Sequence, residues 1–108
     1  MTVKPLKFVG SSLDDLRDFP GEARRGAGFE LRAIQNGLEP SDWKPIRTLG
    51  SGVREIRIHV LGEWRVIYVA QRNDAVYVLH AFQKKGRKTS RPDIELARKR
   101  YRQIGGNI

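Results

Sequence analysis

The chain has 108 residues, 39% of them hydrophobic, with 21 Lys and Arg against 12 Asp and Glu and no cysteine. The lack of cysteine excludes disulfides and thiolate chemistry and fits a reducing cytoplasm, and no apolar run approaches the ~18–20 residues of a membrane span. The charge is unevenly placed: Met1–Gly52 holds eight basic and seven acidic residues, Val53–Ile108 thirteen and five, and a half of one sign suits a polyanionic partner whose counterions are released on binding.

In chain order, no apolar stretch follows the lysines of Met1–Lys7, so no signal peptide is expected. Pro5–Val9 alternates Leu6 and Phe8 about Lys7, as a short strand does. Ser11 and Ser12 are helix caps, Asp14 and Asp15 suit the first turn, and Leu13 and Leu16 mark a short helix closed by Pro20. A second helix is predicted from Pro20 to about Gln35, with Ala23, Ala27, Leu31 and Ile34 on one face and Asn36-Gly37 as its stop. Gly26 and Gly28 weaken it, and close contact between helices explains them better than a phosphate loop, since no strand precedes them. Leu38–Gly52 has the composition of a loop, tucked against the domain by Trp43, Ile46 and Leu49.

The period then changes. Val53–Val60 alternates, with Arg54, Ile56, Ile58 and Val60 on one side and Glu55, Arg57 and His59 on the other. Leu61-Gly62-Glu63 turns into a strand over Trp64–Val69, and Asn73-Asp74 turns into another over Ala75–Phe82, giving an antiparallel meander. After a basic loop, Pro92 opens a last helix to about Gln103, with Ile94, Ala97, Tyr101 and Ile104 as its apolar stripe. There are no repeats or linkers, and one α+β domain over residues 1–108 is expected. Its small antiparallel sheet should carry the two N-terminal helices on one face, with a C-terminal helix closing the chain. With the helices on one side, the other sheet face is expected to be partly open.

The residues available for chemistry are mainly cations. Two histidines, no cysteine and scattered acids argue against a metal site, and no cofactor fingerprint is present. RNA carries its own nucleophile, the 2′-hydroxyl, so a protein that cleaves it needs to align the nucleotide, stabilise phosphate charge and move two protons. Arginine suits the second task; lysine or histidine suits the third. Arg57 and His59 share a strand face, Arg65 follows a turn on the next strand, and Lys84, Lys85, Arg87 and Lys88 leave the last strand. Each has an alternative role: Arg57 paired with Glu55 or Glu63, Arg65 flanking Trp64, Lys84–Lys88 a solvated turn. His80 reads as a satisfied half-buried histidine. Trp43, Trp64, Tyr68 and Tyr77 suit core packing better than base stacking, and Tyr101 belongs to the helix stripe.

The run Gly52-Val-Arg-Glu-Ile-Arg-Ile, then Trp64-Arg-Val-Ile-Tyr-Val, His80-Ala-Phe-Gln-Lys-Lys-Gly-Arg-Lys-Thr and Asp93-Ile-Glu-Leu-Ala-Arg-Lys-Arg resembles the phage-derived, HigB-like branch of the RelE/ParE toxin superfamily. The resemblance covers essentially the whole chain and is most specific from Phe82 to Arg100. It implies a microbial-RNase-like fold and the toxin of a type II toxin–antitoxin system. The implied activity is an endoribonuclease (mRNA interferase) cleaving message in the ribosomal A site and so inhibiting translation. The implied partner is a helix-turn-helix antitoxin, with DNA contacted only through that partner. By position, Arg65 matches the family arginine that contacts the scissile phosphate, Arg57 a basic residue of the preceding strand, and Lys84 and Lys85 the basic pair after the last strand. The C-terminus departs from the RelE pattern where a catalytic tyrosine would lie, so Lys88 and His59 are the substitute proton carriers. Arg54, Arg87, Arg91, Arg98, Lys99 and Arg102 complete the expected RNA-binding surface. Two alternatives stay open: a ParE-like inhibitor of DNA gyrase, and a non-catalytic nucleic-acid-binding regulator.

Overall fold

The computed structural model describes residues 3–106; Met1 and Thr2, part of the N-terminal segment weighed above for a leader, and Asn107 and Ile108 at the end of the expected domain, lie outside the described residues. The elements run β1 (Leu6–Phe8), α1 (Ser12–Arg17), α2 (Gly21–Gln35), β2 (Trp43–Pro45), β3 (Val53–Ile58), β4 (Trp64–Val69), β5 (Val76–Gln83) and α3 (Arg91–Gln103). They form an α+β fold around one five-stranded sheet in the order β1-β5-β4-β3-β2, antiparallel except where β1 runs parallel to β5. Among the described residues no helix is long and apolar enough to cross a membrane.

The strand alternation divides the core in two. Ile56, Ile58, Trp64, Val66, Tyr68, Val76 and Val78 face α1 and α2, where Leu16, Phe19, Ala23, Ala27, Leu31 and Ile34 meet them. Val53, Ile67, Val69, Leu79 and Phe82 face the other way, against Ala97 and Tyr101 of α3 and Leu49. The expectation that all helices share one face is therefore corrected. An amphipathic stripe shows that a helix packs without showing on which face, and α3 covers the side left by the N-terminal pair. A bulge sets the packing on β5: Tyr68 pairs with Val78 and Ile67 with His80, so Leu79 is the extra residue.

Two local expectations change. Residues 43–45 form an edge strand antiparallel to β3, within the stretch expected to be loop. The glycines of α2 make no close helix contact: a Cβ on Gly26 would rest 3.7 Å from Ile58 Cγ2, and one on Gly28 would meet open space. Elsewhere the residues behave as their types require. Ser90 caps α3 by accepting from Asp93 N, with Pro92 in the first turn. Tyr101 is buried and its hydroxyl donates to Ser51 O at 2.9 Å.

Candidate active site

The part of the far sheet face that α3 leaves uncovered becomes a groove of about 650 Å³, lined by Glu55 of β3, Lys44 and Arg47 at one wall and Lys84, Arg87 and Lys88 at the other. The basic wall is held by the backbone, because Lys84 N donates to Glu63 O at 2.7 Å and so fixes the loop to the β3–β4 turn. Glu55 is only 4% exposed. A buried carboxylate needs cations nearby to remain charged, and five line the same groove.

Beside Glu55 on the same sheet face lie the two arginines of the strands. Arg57 and Arg65 are directly opposite each other across β3 and β4, a placement that sets like charges side by side. Arg65 is 2% exposed, its Nη2 3.2 Å from Glu63 Oε1, its Nη1 donating to Trp64 O at 3.0 Å and its Nε 4.0 Å from Glu55 Oε1. The Nε atoms of both arginines are buried and have no hydrogen-bond partner among the described residues, although buried donors are nearly always satisfied. Arg65 flanks Trp64 and pairs with acids at the same time. It does not present an exposed head at the sheet edge, because Glu55 and Glu63 draw it down onto the sheet.

His59 follows the end of β3, half exposed between two carboxylates: Nε2 is 2.7 Å from Asp42 Oδ2, and Nδ1 is 2.8 Å from both Glu63 oxygens. Both ring nitrogens can face carboxylates as donors only in the imidazolium. The hydrogen bonds to Asp42 and then Glu63 raise its pKa above the ordinary 6.5. The same bonds lower those of Asp42 and Glu63. His59, expected with Lys88 as a proton carrier, has both ring nitrogens engaged by carboxylates. A chain of charges results, from Asp42 through His59 and Glu63 to Arg65.

Of the six residues expected to be catalytic, Lys84 and Lys88 meet in the groove, Arg57 and Arg65 lie beside Glu55 on the same sheet face outside the groove lining, and His59 follows the end of β3. Lys85 is absent from the groove lining and lines a neighbouring depression beside Phe82 and Asp93, which Lys84 and Lys88 also border. Among the residues expected to bind RNA, Arg87 lines the groove. Arg91, Lys99 and Arg102 are exposed on α3, and Arg98 is paired with Glu95 at 2.9 Å. Arg54 is corrected: its position in the strand alternation puts it on the α2 side, 3.9 Å over the Trp43 ring and 3.3 Å from Glu39. His80 is buried rather than half-buried, with Nε2 2.7 Å from Asp93 Oδ1 and Nδ1 without a hydrogen-bond partner among the described residues.

Glu55, Lys44 and Arg47 were not among the expected site residues. Glu55 had a signal, a carboxylate on the same strand face as Arg57, which reads equally as a solvated partner. Lys44 and Arg47 reach the groove only because β2 pairs with β3.

Among the described residues no group of three or more His, Cys, Asp or Glu is placed to hold a metal ion. No curated protein matches the chain. The family model described as Phage derived protein Gp49-like (DUF891) matches residues 14–102, from the first helix to the last and through every groove residue named above. The chain belongs to this phage-derived, Gp49-like family.

Proposed function

We propose that the protein is a toxin of the type II toxin–antitoxin kind, an endoribonuclease that cleaves messenger RNA, on the ribosome, without a metal. The observation that carries this reading is a single buried carboxylate, Glu55, at the bottom of a groove walled by Lys44, Arg47, Lys84, Arg87 and Lys88. The cations hold the sugar–phosphate backbone on either side of the scissile bond. Glu55 accepts the proton of the 2′-hydroxyl as that oxygen attacks phosphorus. Lys84 and the Arg57 guanidinium stabilise the extra charge on the phosphoryl oxygens, and Lys88 gives a proton to the departing 5′-oxygen. Arg65 acts from beside the groove, holding Glu55 and Glu63 in place. The products are a 2′,3′-cyclic phosphate and a 5′-hydroxyl. The resemblance noted in the sequence adds a helix-turn-helix antitoxin that silences the toxin in the cytoplasm.

Single-turnover cleavage of ribosome-bound message and of a short RNA tests the reading, the latter with and without EDTA. Glu55→Gln should slow cleavage by about 10²–10³ while the chain stays folded. Parental rates from Glu55→Gln with an unchanged melt would exclude Glu55 as the base. No cleavage by the parental protein, with supercoiling by gyrase inhibited instead, would replace the reading with that of a gyrase poison.

A further inference from the structure

We infer that His59 is a positioning residue whose proton adds a positive charge beside the groove and sets how firmly Glu63 holds Arg65. The inference rests on the RNA-cleaving reading for its consequence but on geometry for its content. The groups around the imidazole come from neighbouring elements: Asp42 from the segment before β2, Arg57 from β3, Glu63 from the turn and Arg65 from β4. Glu30 of α2 is occupied by Ser41 through bonds of 2.6 and 2.8 Å.

Two carboxylates, Asp42 and Glu63, thus face two permanent cations, Arg57 and Arg65, while Glu55 faces the lysines and arginines of the groove. The set carries a net positive charge only while His59 holds its proton. Protonated, His59 takes a share of the Glu63 carboxylate, donating to it at 2.8 Å, and Glu63 divides its charge between the imidazolium and Arg65 Nη2 at 3.2 Å. Once the proton is lost, one of the two ring nitrogens turns a lone pair towards a carboxylate. The bridge between Asp42 and Glu63 opens. Glu63 then pairs with Arg65 alone and holds it more firmly, and the extra positive charge beside the groove is lost. The site attracts RNA less as pH rises through the raised imidazole pKa.

The test joins a nuclear magnetic resonance titration to a cleavage profile, both on the full chain. The Arg65 Nε–H signal should move with the same midpoint as the His59 ring, above the ordinary imidazole value, and His59→Gln should abolish that movement. In single-turnover cleavage of a short RNA, the parental protein should lose affinity above that midpoint, roughly five- to tenfold, mostly in KM. His59→Gln should be weak and flat with pH, and His59→Lys, a permanent cation, should restore tight binding at high pH. An Arg65 signal indifferent to the His59 titration would overturn the inference, whatever the cleavage data show. So would a parental pH profile retained by His59→Gln. A protein whose Arg65 signal follows His59 but which cleaves no RNA would keep the clamp and refute the nuclease.

Discussion

The sheet face beside the groove and the region sealed by α3 each contain a buried arginine, and the two are satisfied in opposite ways. Arg65, on β4, is surrounded by charge: Glu63 at 3.2 Å, Glu55 at 4.0 Å and Arg57 directly across the ladder. Arg100, on α3, donates instead to neutral acceptors, Leu79 O and Ser11 Oγ, each at 2.9 Å. Burial pushes its pKa down, with the Asp15 charge opposing. Arg100 cross-links α3 to β5 and to the start of α1 and leaves nothing for a ligand. Arg65 sits among groups whose pairings can be exchanged when an anion arrives, and its Nε is still unpaired. A buried charge held by neutral acceptors cross-links a fold, whereas one held largely by other charged side chains can change partners when an anion arrives.

The largest effect should come from breaking the charged side of this contrast. Arg65→Ala leaves Glu55 buried beside a void, and removing one partner of a buried pair costs about 3 kcal/mol or more. Urea melts should register that loss together with the fall in cleavage. An exposed arginine would have shown almost no stability change. Arg65→Ala with a parental melt would mean that the Glu55 and Glu63 contacts contribute nothing.

Arg100→Met should come next, losing about 2–3 kcal/mol from two charge-assisted hydrogen bonds. Cleavage by the folded fraction should be unchanged, because α3 seals this region from the groove. A selective loss of the chemical step would remove the distinction between the two arginines.

The fold was legible in the sequence to a greater depth than the site. The alternation over Val53–Val60, the apolar run Trp64–Val69 and the Ala23/Ala27/Leu31/Ile34 stripe mark elements that the structure contains, although β3 ends at Ile58 and β4 is buried on both faces. Trp43–Pro45 is too short for alternation to register and contains a proline, which only an edge strand tolerates. Glu55 and Arg65 carry the opposite lesson. A charged residue on one face of an alternating strand reads as solvent-facing, and only the tertiary arrangement, with neighbouring charges and walls supplied by β2 and the basic loop, turns that face into a buried one. The basic loop was recognisable as a unit, but which lysine enters the groove depends on the turn that Lys84 N fixes through Glu63 O.

That turn gives a finer test within the groove. Lys84 shares its lining with Glu55, whereas Lys85 faces the depression beside Asp93. Lys84→Ala should slow single-turnover cleavage by about 10–100-fold, and Lys85→Ala by less than about threefold, since only the first removes a donor from the reacting phosphate. Equal effects would mean that the loop acts as a diffuse positive patch, and a matching change in the salt dependence of binding would accompany them.

The smallest expected change lies outside both regions and serves as their control. Gly28 is exposed in the middle of α2, and a Cβ there meets nothing within 4 Å. Alanine restricts the unfolded chain and favours the helix, so Gly28→Ala should stabilise the protein by about 0.5–1 kcal/mol. Gly26→Ala should do the same or slightly less, since its Cβ would reach Ile58 Cγ2 at an ordinary van der Waals distance of 3.7 Å. Neither change touches Glu55, Arg65 or Arg100, so cleavage per folded molecule should stay at the parental value while the urea midpoint rises. If Gly28→Ala lowers the midpoint, α2 is not the regular, solvent-facing helix on which the division of the two sheet faces rests. If it raises the midpoint and cleavage falls, the groove depends on flexibility in an element that makes no contact with it, and the separation of a sealed region from a reactive one has to be abandoned.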